Sequence, residues 1–277
     1  MCDGRKLLLA AIVFYYKVTA GSAKLLDMAP NAVDYMYNGC RDEAMEKFIH
    51  SGLLRQELNN SKELQEAWEA DSSCLKLIPG GITEHTTALL VYADWDGDLK
   101  MFDNAVETLG GNVSIYEKHF HFKALHFLLM DSMLLLSTKK CKTLYVVQEE
   151  EYTAQKGSKV RFGRFAKAHS SYSEIVKLTD LDEQVLFNIT SCFFANLGGN
   201  ICRQDQSMTL ISPAEVFTVE AVNEKTGDDS KFTEIVLKHS ELDSSHNCYN
   251  LSGSPAHVST QWLVLMLVAL SLFFLNY

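Results

Sequence analysis

Residues 114–137 read SIYEKHFHFKALHFLLMDSMLLLS, and shortly afterwards residues 143–148 read TLYVVQ. In the first stretch Phe120, Ala124, Phe127, Leu128 and Leu135 recur at helical spacing, and Ser114 with Glu117 forms a capping-box signature, so a central helix is expected over Ser114–Ser137. In the second the spacing turns toward alternation. Alternation returns in Lys159–Phe165, Gln184–Phe194, Met208–Ile211, Glu215–Val222 and Lys231–Lys238, which all read as strands. Upstream the period is helical. Asp42–Leu58 carries Met45, Phe48, Ile49 and Leu53 on one face, and Ser61–Ala70 continues with Leu64, Ala67 and Trp68. Thr83–Ala93 is a shorter helix that turns Ala88, Leu89 and Tyr92 to a core. The change of period at Cys141 puts helices first and strands second, which is the α+β class rather than a parallel α/β sheet. No linker rich in Pro, Gly or Ser separates the halves and no repeat is present, so they read as two lobes of one domain, helical over about 24–140 and β over about 141–248.

The composition of the 277 residues, 47% hydrophobic and 22% charged, supports one sizeable core and excludes disordered, collagen-like and coiled-coil classes. Acidic residues outnumber basic ones by 35 to 25, a net charge of −10, which argues against a nucleic-acid partner. The ends decide the compartment. Arg5 and Lys6 supply a positive start, Leu7–Tyr16 is an apolar run too short to span a membrane, and Ala20, Gly21, Ser22 and Ala23 are small, which reads as a secretory signal over Met1–Ala23. At the other end Trp262–Leu275 carries no charge and follows the polar spacer Pro255–Gln261 and the small residues Ser252, Gly253 and Ser254. That is the order of a glycosylphosphatidylinositol (GPI) signal over 253–277, with Ser252 or Gly253 as the attachment residue. Only Asn276 and Tyr277 follow the run, without the basic anchor of a spanning helix. The expectation is a domain over 24–252, held by a lipid anchor at the extracellular face of the plasma membrane. Once Cys2 leaves with the signal, Cys40, Cys74, Cys141, Cys192, Cys202 and Cys248 form an even set with all pairings open. Sequons at Asn59, Asn112, Asn188 and Asn250 suit a glycosylated ectodomain.

Motifs for common chemistries are missing. Neither a dinucleotide G-x-G-x-x-G nor a P-loop occurs. His119, His121 and His126 fall in the central helix between aromatic and aliphatic flanks without H-E-x-x-H, so packing is favoured over ligation and no metal is expected. Glu149, Glu150 and Glu151 read as a solvated turn, since adjacent side chains point in different directions. His169, Ser170 and Ser171 are neighbours in sequence without a G-x-S-x-G elbow, which gives no hydrolase triad.

Four segments, in order, resemble the vertebrate ecto-ADP-ribosyltransferase family: LLDMAPNAVDYMYNGC at 25–40, FHFKALHFLL at 120–129, KVRFGRF at 159–165 and LISPAEVF at 210–217. The resemblance covers essentially all of the chain between the end signals. It implies an ADP-ribosyltransferase fold in which a helical lobe packs on two roughly perpendicular sheets, with NAD held between them. The implied reaction breaks the nicotinamide–ribose bond and transfers ADP-ribose to a protein arginine. In it a carboxylate stabilises oxocarbenium-like charge, an arginine holds the diphosphate and a serine supports the carboxylate. The disulfides implied by the resemblance are Cys40–Cys248, Cys141–Cys192 and Cys74–Cys202.

Carried over position by position, the three roles fall on Val146, Lys167 and Met208. Tyr145, Val146 and Val147 stand where the resemblance implies Tyr-Arg-Gly, and Lys167, Ala168 and His169 replace a serine-rich strand. Gln206, Ser207 and Met208 stand where Glu-x-Glu is implied, and methionine carries no charge. Moving Asp205 onto position 208 takes three residues, an odd slip that reverses every side chain of the strand. Two readings stay open. One is a cell-surface protein that keeps the fold and binds an NAD-like ligand or an extracellular protein, with transfer weak or lost. The other is an active NAD-dependent arginine mono-ADP-ribosyltransferase in which Lys167 contacts phosphate and Asp205 or Glu215 supplies the acid. Tyr145 and Lys167 are the candidate NAD contacts.

Overall fold

The computed structural model describes residues 23–71, 76–94, 100–138, 140–202, 207–226, 230–245, 247–248 and 251. Residues 1–22 and 252–277, and with them the two end signals, lie outside the described residues, as do Cys74, Asp205 and Asn250.

In the helical lobe Arg41–Ala44 (α1) runs into a π-helical turn, Met45–His50, and Leu53–Asn60 (α2) follows. The helix expected over Asp42–Leu58 is therefore broken. Gly52 sits at the break with φ 85°, a left-handed conformation that a residue without Cβ adopts readily. The apolar stripe survives, because Phe48 is buried and Met45, Ile49 and Leu53 pack against the same core. Lys62–Asp71 (α3), Thr83–Asp94 (α4) and Lys100–Thr108 (α5) come next. Every residue of α4 from His85 to Ala93 is buried, so this helix runs through the lobe instead of lying on it.

The central helix is two helices, Val113–His119 (α6) and Lys123–Leu136 (α7). The cap is Asn112, not Ser114: its Oδ1 accepts from the Ser114 and Ile115 amides at 2.8 and 3.4 Å. Two aromatic residues explain the interruption. Phe120 and Phe122, two positions apart, would point to different faces of one helix. With the chain extended between α6 and α7, Phe120 is fully buried against Tyr116 and Phe122 meets Phe102, at ring separations of 5.2 and 5.5 Å. The new N-terminus of α7 is capped from elsewhere, by Glu57 of α2, whose oxygens accept from the Lys123 and Ala124 amides at 2.7 and 3.0 Å.

The strands are Lys24–Leu25 (β1), Lys142–Gln148 (β2), Tyr152–Thr153 (β3), Lys159–Val160 (β4), Ala166–His169 (β5), Val185–Ser191 (β6), Phe194–Asn196 (β7), Met208–Ile211 (β8), Glu215–Thr226 (β9) and Lys231–Leu242 (β10). A short helix, Tyr172–Leu178 (α8), follows β5. β1 pairs with β3 in parallel, and the other strands form one order, β4-β9-β10-β6-β2-β5-β8-β7. The two expected sheets are its two halves. β2 and β5 are joined by a single residue pair, Tyr145 with His169, between the part ending in β2 and the part β5-β8-β7. The strand expected over Lys159–Phe165 pairs only at its start, since the Arg161 amide bonds to Asp27 and Gly163 turns the chain at φ 70°. The stretch expected over Gln184–Phe194 divides likewise into β6 and β7, while β9 and β10 extend further than their apolar alternation.

One core fills the helical lobe and the face of β8 turned toward it, and a second lies within the β lobe around Leu144, Val146, Phe187, Phe217 and Ile235. Disulfides tie the ends. Cys40–Cys248 closes a span of 208 residues, and Cys141–Cys192 extends the β2–β6 pairing one step past Lys142 and Ser191. The long closure contributes about 5 kcal/mol in the chain-entropy model. Cys202 is also disulfide-bonded.

Glu57 makes the helical lobe sensitive to pH. Burial pushes its carboxyl from 4.5 up to about 7, against the pull of the helix amides and Lys123. The folded state then holds the proton more tightly than the unfolded chain, so this group's contribution is full below pH 4.5 and is lost as the pH rises toward 7. Denaturant midpoints should fall less across that window in Glu57→Gln than in the wild type. Parallel curves for the two proteins would exclude Glu57 as the source.

Candidate ligand cleft

A cavity of about 780 Å³ opens where the helical lobe meets the β2–β5 junction. α4 and α5 contribute Tyr92, Lys100, Asp103, Asn104 and Glu107, while β2 and the turn after it contribute Val147, Gln148, Glu149 and Glu150. Lys24, Arg164, Phe165 and Lys167 complete the wall. Arg164 and Phe165 stand on the segment between the Gly163 turn and β5, so the interruption of the expected strand is what presents them.

Hydrogen bonds fix the wall. Arg164 Nη2 donates to Gln148 Oε1 at 2.9 Å and to the Tyr152 hydroxyl at 3.5 Å. Tyr92 is buried, and its hydroxyl lies 2.9 Å from the Phe165 carbonyl and 3.2 Å from Asp103 Oδ1. Lys167 Nζ lies 5.8 Å from the centre of the Tyr92 ring, within cation–π range. Lys24 pairs with Glu107 across the rim. Burial raises the Asp103 carboxyl to about 6, opposed by the charges of Arg164 and Lys167 and by the Tyr92 hydroxyl. The wall therefore sets Lys24, Lys100, Arg164 and Lys167 against Asp103, Glu107, Glu149 and Glu150, and Asp103 among them is partly protonated in mildly acidic solution.

Of the described candidate site residues Tyr145, Val146, Lys167, Met208 and Glu215, Lys167 lines the cleft, as do Glu149 and Glu150 of the acidic turn. Along β5, Lys167 and His169 share a face, and their partners on β8 are Leu210 and Met208. Met208 thus stands on the cleft side of the sheet, partly buried against the helical-lobe core. Val146 lies on the opposite face, 2% exposed and paired with Phe187 in the inner core, while its neighbour Val147 lines the cleft. Tyr145 packs on Tyr172 of α8 with ring centres 5.5 Å apart, outside the cavity wall.

Glu215 is not a substitute acid for the cleft. It is fully buried, and its oxygens accept from Ser191 Oγ, the Cys192 and Phe193 amides and His239 Nδ1, at 2.6, 2.8, 3.1 and 2.8 Å. Burial raises its pKa against these donors. Both oxygens are thus engaged, three of the donors coming from the end of β6 and the turn that carries the Cys141–Cys192 bridge and the fourth from β10. His126 is likewise structural, held between the Tyr37 hydroxyl and the Val33 carbonyl at 3.1 and 2.9 Å and lowered by burial to about 4. His119 and His121 are exposed on the other side of the helix break.

Arg164 and Asp103 were not singled out in the sequence. Arg164 lies inside KVRFGRF, where alternation predicts a strand over Lys159–Phe165. Asp103 sits on α5, a helix that the spacing of Phe102, Ala105, Val106 and Leu109 announces.

The family model described as NAD:arginine ADP-ribosyltransferase matches residues 26–245, and the chain belongs to this family, whose members use NAD as substrate. It is 31% identical over 240 residues to ecto-ADP-ribosyltransferase 5 of Bos taurus, covering 80% of this chain and 73% of that one. To the GPI-linked NAD(P)(+)–arginine ADP-ribosyltransferase 1 of Mus musculus it is 29% identical over 255 residues, with 86% and 77% covered. Among solved structures it is similar to the eucaryotic mono-ADP-ribosyltransferase ART2.2, with TM-score 0.65, 29% identity, and 81% of this chain and 98% of that chain covered. A glutamate-to-isoleucine variant of ART2.2 in complex with NAD matches equally well, with TM-score 0.65.

The role of Glu215 is testable by stability. Glu215→Ala strands the Cys192 and Phe193 amides and the Ser191 hydroxyl and removes the partner of the partly exposed His239, so a loss of about 3 kcal/mol in denaturant unfolding is expected. A variant as stable as the wild type would reopen Glu215 as a functional acid.

Proposed function

We propose that this chain is a GPI-anchored cell-surface member of its family whose cleft takes an NAD-like ligand while ADP-ribose transfer is weak or lost. Met208 carries the reading. It stands where the family resemblance implies the principal glutamate, on the cleft side of β8, and offers neither charge nor a strong acceptor to developing positive charge on the ribose. Glu215 is unavailable, and Asp103, whose carboxyl feels the charges of Arg164 and Lys167, sits on α5 in a hydrogen bond with Tyr92. NAD, when bound, brings the ADP-ribosyl group. The residues of this chain fit it in part: the volume and the cations Arg164 and Lys167 suit a diphosphate, whereas Lys167 and Met208 do not suit the reacting ribose.

Labelled NAD and an arginine-rich acceptor test the chemistry. Wild-type transfer should lie about 10²-fold or more below that of an active relative. Lys167→Ser combined with Met208→Glu should raise NAD turnover above wild type. Robust wild-type transfer that survives Met208→Ala would overturn the reading and favour an active transferase.

For the address, the Leu7–Tyr16 and Trp262–Leu275 runs support a removed leader and a lipid anchor. Phosphatidylinositol-specific phospholipase C should release the protein from cells. Retention, with residues 262–275 detected by mass spectrometry, would mark a spanning helix instead. Asn59 and Asn112 are exposed and suit glycosylation, whereas Asn188 lies mid-sheet between β10 and β2 with its amide donating to Glu234 at 3.2 Å.

A further inference from the structure

Arg164 is a partly buried guanidinium in the wall of the large cleft. Its bonds to Gln148 and Tyr152 both use Nη2, which fixes the group while Nη1 and Nε find no acceptor among the described residues. No carboxylate among the described residues lies within ion-pair distance of it. Asp103 and Glu107 of the same wall act on Arg164 through their charge without bonding to it, so its remaining donors stay open to an anion, and the planar fork of arginine suits two phosphate oxygens at once. Lys167 adds positive charge on the same side of the wall, where Lys24 is already paired with Glu107, and the charges of Arg164 and Lys167 are both felt by Asp103.

We propose that Arg164 is the diphosphate-binding arginine of this chain, with Lys167 as a supporting point charge, and that the ligand is a dinucleotide diphosphate. The inference rests on the reading of the cleft as a site for an NAD-like ligand. It moves the role implied for position 146 to a different element. Val146, turned into the inner core, cannot host such a contact without burying a charge among Leu144 and Phe187. Arg164 reaches the cleft from the connection before β5, where Gly163 leaves the previous strand.

The full chain, solubilised from the cell surface in detergent, would be titrated calorimetrically with ADP-ribose, inorganic pyrophosphate and nicotinamide riboside, the last lacking a diphosphate. ADP-ribose should bind more tightly than pyrophosphate, and Arg164→Gln should weaken both at least tenfold without moving the thermal midpoint. Arg164→Lys, which keeps the charge and loses the fork, should recover part of the affinity and guards against a folding artefact. Any nicotinamide riboside binding should be indifferent to Arg164. Equal ADP-ribose affinity in wild type and Arg164→Gln, or no binding of either phosphate compound, would overturn the proposal. Pyrophosphate binding with ADP-ribose no tighter would overturn the dinucleotide assignment. These outcomes are separable from the transfer assay, since robust transfer would remove the reading of lost activity without touching the dependence of binding on Arg164.

Discussion

The buried ion pair between Asp34 and Arg161 holds together three parts of the chain that are distant in sequence. Arg161 Nη1 meets Asp34 Oδ2 at 2.6 Å, and both side chains are almost wholly excluded from solvent. Every nitrogen of the guanidinium and both oxygens of the carboxylate have a partner. Arg161 also donates to the carbonyls of Met28, Ala29 and Asp243, while Asp34 accepts from the amide and hydroxyl of Ser245. The segment leading into the helical lobe, the connection after β4 and the end of the chain past β10 thus converge on one charge pair. Removing either member would leave the other charged and buried, which costs about 3–5 kcal/mol. The Cys40–Cys248 bridge closes the same convergence covalently.

The cleft depends on this anchor. Three residues after Arg161 the chain presents Arg164, and a step later Phe165, whose carbonyl receives the Tyr92 hydroxyl and whose ring packs on Phe102. Gly163 makes the departure from β4 feasible at positive φ, and a Cβ there would come within 2.6 Å of Ala29. Structural and ligand-facing roles thus alternate along a few residues: Arg161 turns inward to Asp34, and Arg164 turns to the cavity. The fold is that of the family, and what its cleft can do is carried by the side chains grafted on that common scaffold.

Local pattern made much of the fold legible. Spacing located α3 and α4, the boundary at Cys141, and the strands β2, β6, β8, β9 and β10. It missed β1, β3, β5 and α8 and joined α6 to α7, while α5 carries helical spacing that the reading did not single out. The misses share a cause. β5 is Ala-Lys-Ala-His, too short and too weak in propensity to signal a strand, and it exists because β8 pairs along its length. The break between α6 and α7 depends on the burial of Phe120 and on Glu57 reaching across from α2, neither of which is a property of the helix itself.

By itself, the sequence determined the α+β class, the two lobes, the family resemblance and the uncharged methionine at position 208, because periodicity and residue identity are local quantities. Only the tertiary structure decided which side chains share a space. It turned Val146 and Lys167 to opposite faces, committed Glu215 to four interior donors, and brought Arg164 to face Asp103 and Tyr92 across one cavity. A strand's alternation says that neighbours face opposite ways but not which way is in. That choice is made by the other elements that bury one face and leave the other open to a ligand.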